Sequence, residues 1–306
     1  MGILRIVCLP CALVAAACST QELAREHTLD IVRNVNRAFS RETDLALAKA
    51  AFPASLKQME GLLEMYPREP LLLTSLARGY LSYAFMFVDV PRTMFKFANE
   101  LEAAQRRERA YELYMRGRGY ALRLLALRDP GIAESVEAAR IPSKEQLAAA
   151  GPDSVPGLYW TARCWGAALA TLPRSPEVVR DVTIVRSLVT RCVALNERYE
   201  HAGPLVLQAA LDAVTPQVMG GGVELARARY ERAIELQGGR NLLTRVMYAR
   251  DVLVPLGEDE LYVQSLNEIM RANPTEGADL ALANTFAQDW ASGHLLDYHM
   301  LGKVVR

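Results

Sequence analysis

The sequence predicts an all-α fold built from stacked helical hairpins. Three observations carry this. Ala, Leu and Arg dominate the 306 residues, with 51% hydrophobic and only 7% aromatic, a mixture that favours helix over sheet. Apolar residues recur at helical spacing, and no segment of any length keeps a period of two. Pro and Gly fall between the periodic segments, where helices start and stop. Residues 223–239 set the pattern: Ala226, Tyr230, Ala233 and Leu236 follow i, i+4, i+7, i+10 and form one apolar stripe. Gly220 to Gly222 precede the stripe, and Gly238 and Gly239 stop it, because glycine accepts the positive φ that ends a helix. The two alanines let a second helix approach, and Tyr230 fills the space beside them. This is the look of the second helix of a tetratricopeptide-like hairpin.

The first segment lies outside the fold. Arg5 leads into an apolar run, residues 6–17, followed by Cys18-Ser19-Thr20. A short charged start, a short apolar core and small residues before a cysteine form an export signal, too short for a stable membrane span. Ala15-Ala16-Ala17-Cys18 resembles the lipobox of bacterial lipoproteins. By that resemblance residues 1–17 are a signal peptide, and Cys18 is the first mature residue and carries lipid on its thiol and amino group. An ordinary secretory signal cleaved nearby is the alternative. Ser19 at the next position resembles the pattern sent on to the outer membrane. Residues 18–306 then form a single helical domain. Cys164 and Cys192 remain in the mature chain. They could pair in an oxidising compartment or stay as two buried thiols, and sequence does not fix their distance.

Residues 20–40 read as a tether and a first helix, with Leu29, Ile31, Val32, Val35 and Phe39 on one face. Residues 44–51 form a helix that stops at Phe52-Pro53, and a second begins near Pro53 and runs to Tyr66-Pro67, since proline is tolerated at a helix start and not inside. From residue 69, Leu73, Leu76, Ala77 and Tyr80 give a first-helix pattern of large, large, small and aromatic residues. Tyr83, Ala84 and Phe87 continue that face. Residues 89–100 break the period. Residues 106–127 form a long helix with Ala110, Tyr114, Ala121 and Leu125 inward, where Gly117 and Gly119 imply a close helix crossing. Residues 132–156 read as an insertion. Residues 157–169 restart the theme with Leu158, Thr161, Ala162 and Trp165 in register, and residues 181–196 are the partner helix. A short apolar helix spans 205–214. A final hairpin spans 241–254 and 258–272, and a capping helix spans 276–301.

Laid end to end, Cys18, Leu71 to Leu73, Ser82-Tyr83-Ala84-Phe85, Leu158-Tyr159-Trp160-Thr161-Ala162 and the stripe from Ala226 to Leu236 resemble the TRAP-transporter T-component family. These are TatT-like periplasmic lipoproteins with cryptic tetratricopeptide motifs. The resemblance covers nearly the whole mature chain. It implies a degenerate bundle of helical hairpins, a homotrimer with a central pore, and work with the periplasmic substrate-binding protein of a tripartite ATP-independent periplasmic transporter. It also implies an apolar or amphipathic ligand and a lipid-anchored place facing the periplasm. Tyr80, Tyr83, Phe87, Tyr159 and Trp160 are the candidate lining of a ligand pocket; as a plain reading, each ring fills core.

The zero formal net charge argues against a nucleic-acid surface, which needs excess Lys and Arg. The four histidines are scattered, and His294 and His299 do not share a helix face as an i, i+4 metal pair would. Gly220-Gly221-Gly222 lacks the Lys-Ser/Thr of a phosphate loop, and no G-x-S-x-G elbow occurs. No catalytic residues, cofactor or metal are therefore expected. Two functions remain: a transporter-associated lipoprotein that handles a ligand and docks a partner, or a general envelope adaptor for assembly or secretion with no small ligand. Genes for a TRAP binding protein and its membrane subunits beside this one would favour the first.

Overall fold

The computed structural model describes the backbone of residues 8–91, 100–173 and 175–301, and the side chains of residues 22–91, 100–173 and 175–296. Every regular element among the described residues is helical. The chain divides into two compact units, Met1–Phe39 and Ser40–Arg306.

The first unit carries helix α1, which runs Cys8–Ser40 without a break, so the expected tether is helical backbone instead. No Pro or Gly interrupts residues 18–40, and nothing local stops a helix there. Cys18 falls within α1, and its side chain lies outside the described residues.

In the second unit, α2 spans Leu45–Met65 with Pro53 inside it, capped by Asp44, whose side chain accepts from the backbone N–H of Ala46 and Leu47. One helix therefore replaces the two expected. Pro53 lacks an N–H and crowds the carbonyl four residues back, at a cost of about 3 kcal/mol. Burial of Phe52, Leu56, Met59 and Leu63 on one stripe, at about 1.5–3 kcal/mol each, outweighs it.

Helix α3 (Pro70–Ala84) buries Leu73, Leu76, Ala77 and Tyr80, the residues its spacing predicted. It continues through a π-helical turn, Phe85–Asp89, in which the Val90 N–H reaches the Phe85 carbonyl. Residues 92–99, all of them in the predicted break, lie outside the described residues. Helix α4 (Glu100–Ala126) buries Ala110, Tyr114, Ala121 and Leu125 as expected. The predicted close crossing holds at Gly117, where a Cβ would lie 3.2 Å from the Ala77 carbonyl oxygen; at Gly119 a Cβ would meet nothing within 4 Å. The stretch read as an insertion holds two short helices, α5 (Pro130–Glu137) and α6 (Lys144–Ala149), and Ile132, Ala133 and Val136 join the core.

Helix α7 (Val155–Ala170) buries 11 of its 16 residues, and α8 (Pro176–Asn196) starts before Asp181 because Ser175 caps it and Pro176 fits its first turn. Helix α9 (Tyr199–Val214) opens on three left-handed residues, Glu200, His201 and Ala202. Helix α10 (Val223–Leu236) follows, with Ala226, Tyr230 and Ala233 buried and Leu236 half-buried. Helix α11 (Leu242–Tyr248) runs into a second π turn, Ala249–Leu253, then α12 (Val254–Leu256). Both π turns are followed directly by Val-Pro, at Val90-Pro91 and Val254-Pro255. A proline cannot donate to the carbonyl four residues back and clashes with it, and a wider turn relieves both. Helices α13 (Asp259–Arg271) and α14 (Ala281–Leu301) finish the unit.

Consecutive helices pack as neighbours from α2 to α4, then α4 on α7, α7 on α8, α8 on α9 and α9 on α10. Buried Asp212 of α9 takes Arg186 of α8 and Arg229 of α10, which ties three helices together. The last helix does more than cap: α14 also touches α2 and sets Phe286 and Trp290 against Phe85, so the array curls back on its own start. Residues 70–89 form a helix long and apolar enough to cross a membrane by composition, and most of it is buried by its neighbours, as in a core helix. Cys164 and Cys192 are both free and buried. Their sulfurs approach different backbone carbonyls, Ala77 at 3.6 Å and Val155 at 3.9 Å.

Candidate functional site

The two π turns converge on one cluster of charges and rings. Such turns shift the register of the side chains they carry and recur at functional sites. The first supplies Phe85 and Asp89, and the second supplies Arg250 and Asp251. The Arg163 guanidinium of α7 lies 6.0 Å from the Phe85 ring, Phe85 meets Trp290 edge-on at 5.8 Å, and Arg250 lies over Trp290 at 5.1 Å. Each aspartate accepts from a buried tyrosine: Tyr114 donates to Asp89 Oδ2 at 3.0 Å, and Tyr230 to Asp251 Oδ2 at 2.7 Å. Arg250 Nε donates to the other oxygen of Asp251 at 2.6 Å.

Burial, then the neighbouring aspartate, pushes the Tyr114 and Tyr230 hydroxyls well above the usual tyrosine range, so both stay protonated donors. Desolvation would lower Arg250, but Asp251, Tyr230 and Asp89 outweigh it and hold the guanidinium charged. Arg250 is thus held by charged and polar neighbours, yet 40% of its side-chain surface is uncovered. Arg163 has no ion-pair partner among the described residues. An unpaired guanidinium beside aromatic faces can hold an acidic group while the rings take an apolar body.

The residues singled out from the sequence fall into three other groups. Tyr83 and Phe87 lie 5.9 Å apart and pack on Phe52. Tyr80 stacks on Tyr120 at 5.9 Å, and both hydroxyls donate to Glu60, at 2.6 and 2.7 Å. Tyr159 and Trp160 meet at 4.9 Å and join Tyr199, which accepts from Trp160 Nε1 at 3.2 Å. This last group buttresses the left-handed turn. Arg78 lies over Trp160 and pairs with Glu200, and the Tyr159 ring presses so close to Gly203 that a Cβ there would collide with it. Tyr83 is half-buried, and the other four are buried. Among the described residues no cluster of His, Cys, Asp and Glu could hold a metal ion.

Residues 41–299 match the model of the family described as TRAP transporter T-component. The chain belongs to that family. A protein of Treponema pallidum (strain Nichols) described only as uncharacterized is 26% identical to this T-component over 321 residues, covering 97% of this chain and 98% of its own. The family gives the T-component an accessory role in a TRAP transporter and a place in the periplasm or cell envelope.

The arginine cluster of the T-component was not singled out in the sequence, although a signal for it exists. Asp89 sits in Phe85-Met-Phe-Val-Asp-Val90, and Arg250-Asp251 in Val246-Met-Tyr-Ala-Arg-Asp-Val-Leu-Val254. Charges inside apolar helical runs mark buried polar groups that must find partners.

Proposed function

We propose that the T-component is a lipoprotein, anchored through Cys18 after loss of residues 1–17, that faces the periplasm from the outer membrane. It docks the periplasmic substrate-binding protein of a TRAP transporter and holds an apolar or amphipathic ligand in transit, working as a homotrimer. The observation that supports ligand handling is Arg163, without an ion-pair partner among the described residues, against Phe85 and beside the uncovered face of Arg250. An acidic headgroup on Arg163 and an apolar body on Phe85 and Trp290 would satisfy both. Tyr80, Tyr83, Phe87, Tyr159 and Trp160 remain candidate lining in this reading, with half-buried Tyr83 the most open.

The test is a pull-down and titration of the purified protein with the substrate-binding protein encoded beside it. Light scattering reads the oligomer. Binding in the low-micromolar range, and loss of an amphipathic carboxylate ligand in Arg163→Gln, are expected. Absence of docking at tens of micromolar, with both partners folded, favours the general envelope adaptor instead. For the anchor, Cys18→Ala is expected to lose labelling by a fatty-acid analogue and leave the membrane fraction; unchanged labelling and retention would overturn it.

A further inference from the structure

A groove of about 340 Å³ opens between the start of α3, the end of α4 and the start of α7. It lies at the far end of these helices from the arginine cluster. Leu71 and Phe85 are separated by about 20 Å along the helix at 1.5 Å per residue. Leu71, Leu124 and Pro152 give it apolar walls, and its size suits a small organic molecule.

Three charged groups line the same groove, Asp153 and, side by side in the chain, Arg128 and Asp129. Asp129 Oδ2 is buried with no hydrogen-bond partner. Asp129 stands at the N-cap of α5, where a carboxylate ordinarily accepts from the helix N–H groups, yet its side chain makes no cap bond. A buried carboxylate oxygen without a donor is costly, and a ligand donor would remove that cost. Arg128, next in the chain and exposed, has no ion-pair partner among the described residues, Asp129 included.

The geometry points to a second small-molecule site in this groove, for an apolar α-amino acid whose ammonium meets Asp129, whose carboxylate meets Arg128 and whose side chain lies on Leu71 and Leu124. The adjacent charges match the adjacent charges of the zwitterion, and the apolar walls suit its side chain. The site is independent of the arginine cluster.

The test is calorimetric titration of the full-length protein in detergent with L-phenylalanine, 2-phenylethylamine and 3-phenylpropionate. Saturable binding of L-phenylalanine is expected, with each truncated analogue weaker by about tenfold or more, the value of a charge-assisted hydrogen bond. Asp129→Asn should weaken L-phenylalanine to the same degree and leave 3-phenylpropionate unchanged. Leu71→Trp, which fills the groove, should abolish binding and serves if Asp129→Asn does not fold. No saturable binding in the millimolar range, or unchanged affinity in both variants, would overturn the site. Docking of the substrate-binding protein is read separately, so either result can fail alone.

Discussion

The Tyr230 hydroxyl, in the middle of α10, donates at 2.7 Å to Asp251 in the π turn after α11. The ring is fully buried, so this contact helps tie the most regular helix of the chain to the turn that carries Arg250. Tyr230→Ala is expected to cost about 3–5 kcal/mol, as for other core aromatic truncations. Tyr230→Phe keeps the ring and removes only the donor to Asp251, at about 1–3 kcal/mol. Urea denaturation of both variants checks the order, and an unchanged midpoint for Tyr230→Ala would contradict the packing.

Two glycines should respond in opposite directions to the same substitution. A Cβ on Gly157 would lie 2.6 Å from the Leu125 Cα, a backbone atom that cannot step aside, whereas Gly119 has open space. Gly157→Ala is expected to separate α7 from α4 and destabilise by about 1–3 kcal/mol, the range for overpacking. Gly119→Ala should gain up to about 1 kcal/mol from helix propensity. Thermal unfolding distinguishes the signs.

Glu60 predicts an acid limb of stability. Burial favours its neutral form, but Lys57, Tyr80, Tyr120 and Arg116 outweigh this and lower its pKa to about 2. A carboxylate whose folded pKa lies below its unfolded value stabilises fully above the unfolded value, 4.5, and loses that contribution as pH falls towards the folded one. Discounted for solvent screening, the contribution is about 1–2 kcal/mol. The wild type should lose it between pH 4.5 and about 2, and Glu60→Gln should lack this limb. Denaturation curves across that range decide it, and parallel profiles would refute the assignment.

Burial pushes the Cys164 thiol up to about 12 and raises Cys192 further. Thiolate is the reactive form, so neither should react with a thiol reagent at neutral pH until the chain unfolds. Both should then label without prior reduction. Rapid labelling of the native protein, or labelling that needs a reductant, would contradict the packing or the free state.

Periodicity alone identifies most of the helix faces, although Ile31, expected on one face with Leu29 and Val32, is 63% exposed. The stripes Leu73-Leu76-Ala77-Tyr80, Ala110-Tyr114-Ala121-Leu125 and Ala226-Tyr230-Ala233 are all buried, because a periodic stripe reports the one face a helix must hide. The family was legible too, through segments such as Leu158 to Ala162 and the Ala226–Leu236 stripe. Tertiary structure decided what local rules oppose or leave open. It carried α2 through Pro53, held Glu200 to Ala202 in the left-handed region, and brought α14 back to Phe85. Each rests on a partner distant in sequence, which periodicity does not encode. The arginine cluster is the sharpest case: Phe85, Arg163, Arg250 and Trp290 come from four separate segments, and only packing makes them neighbours.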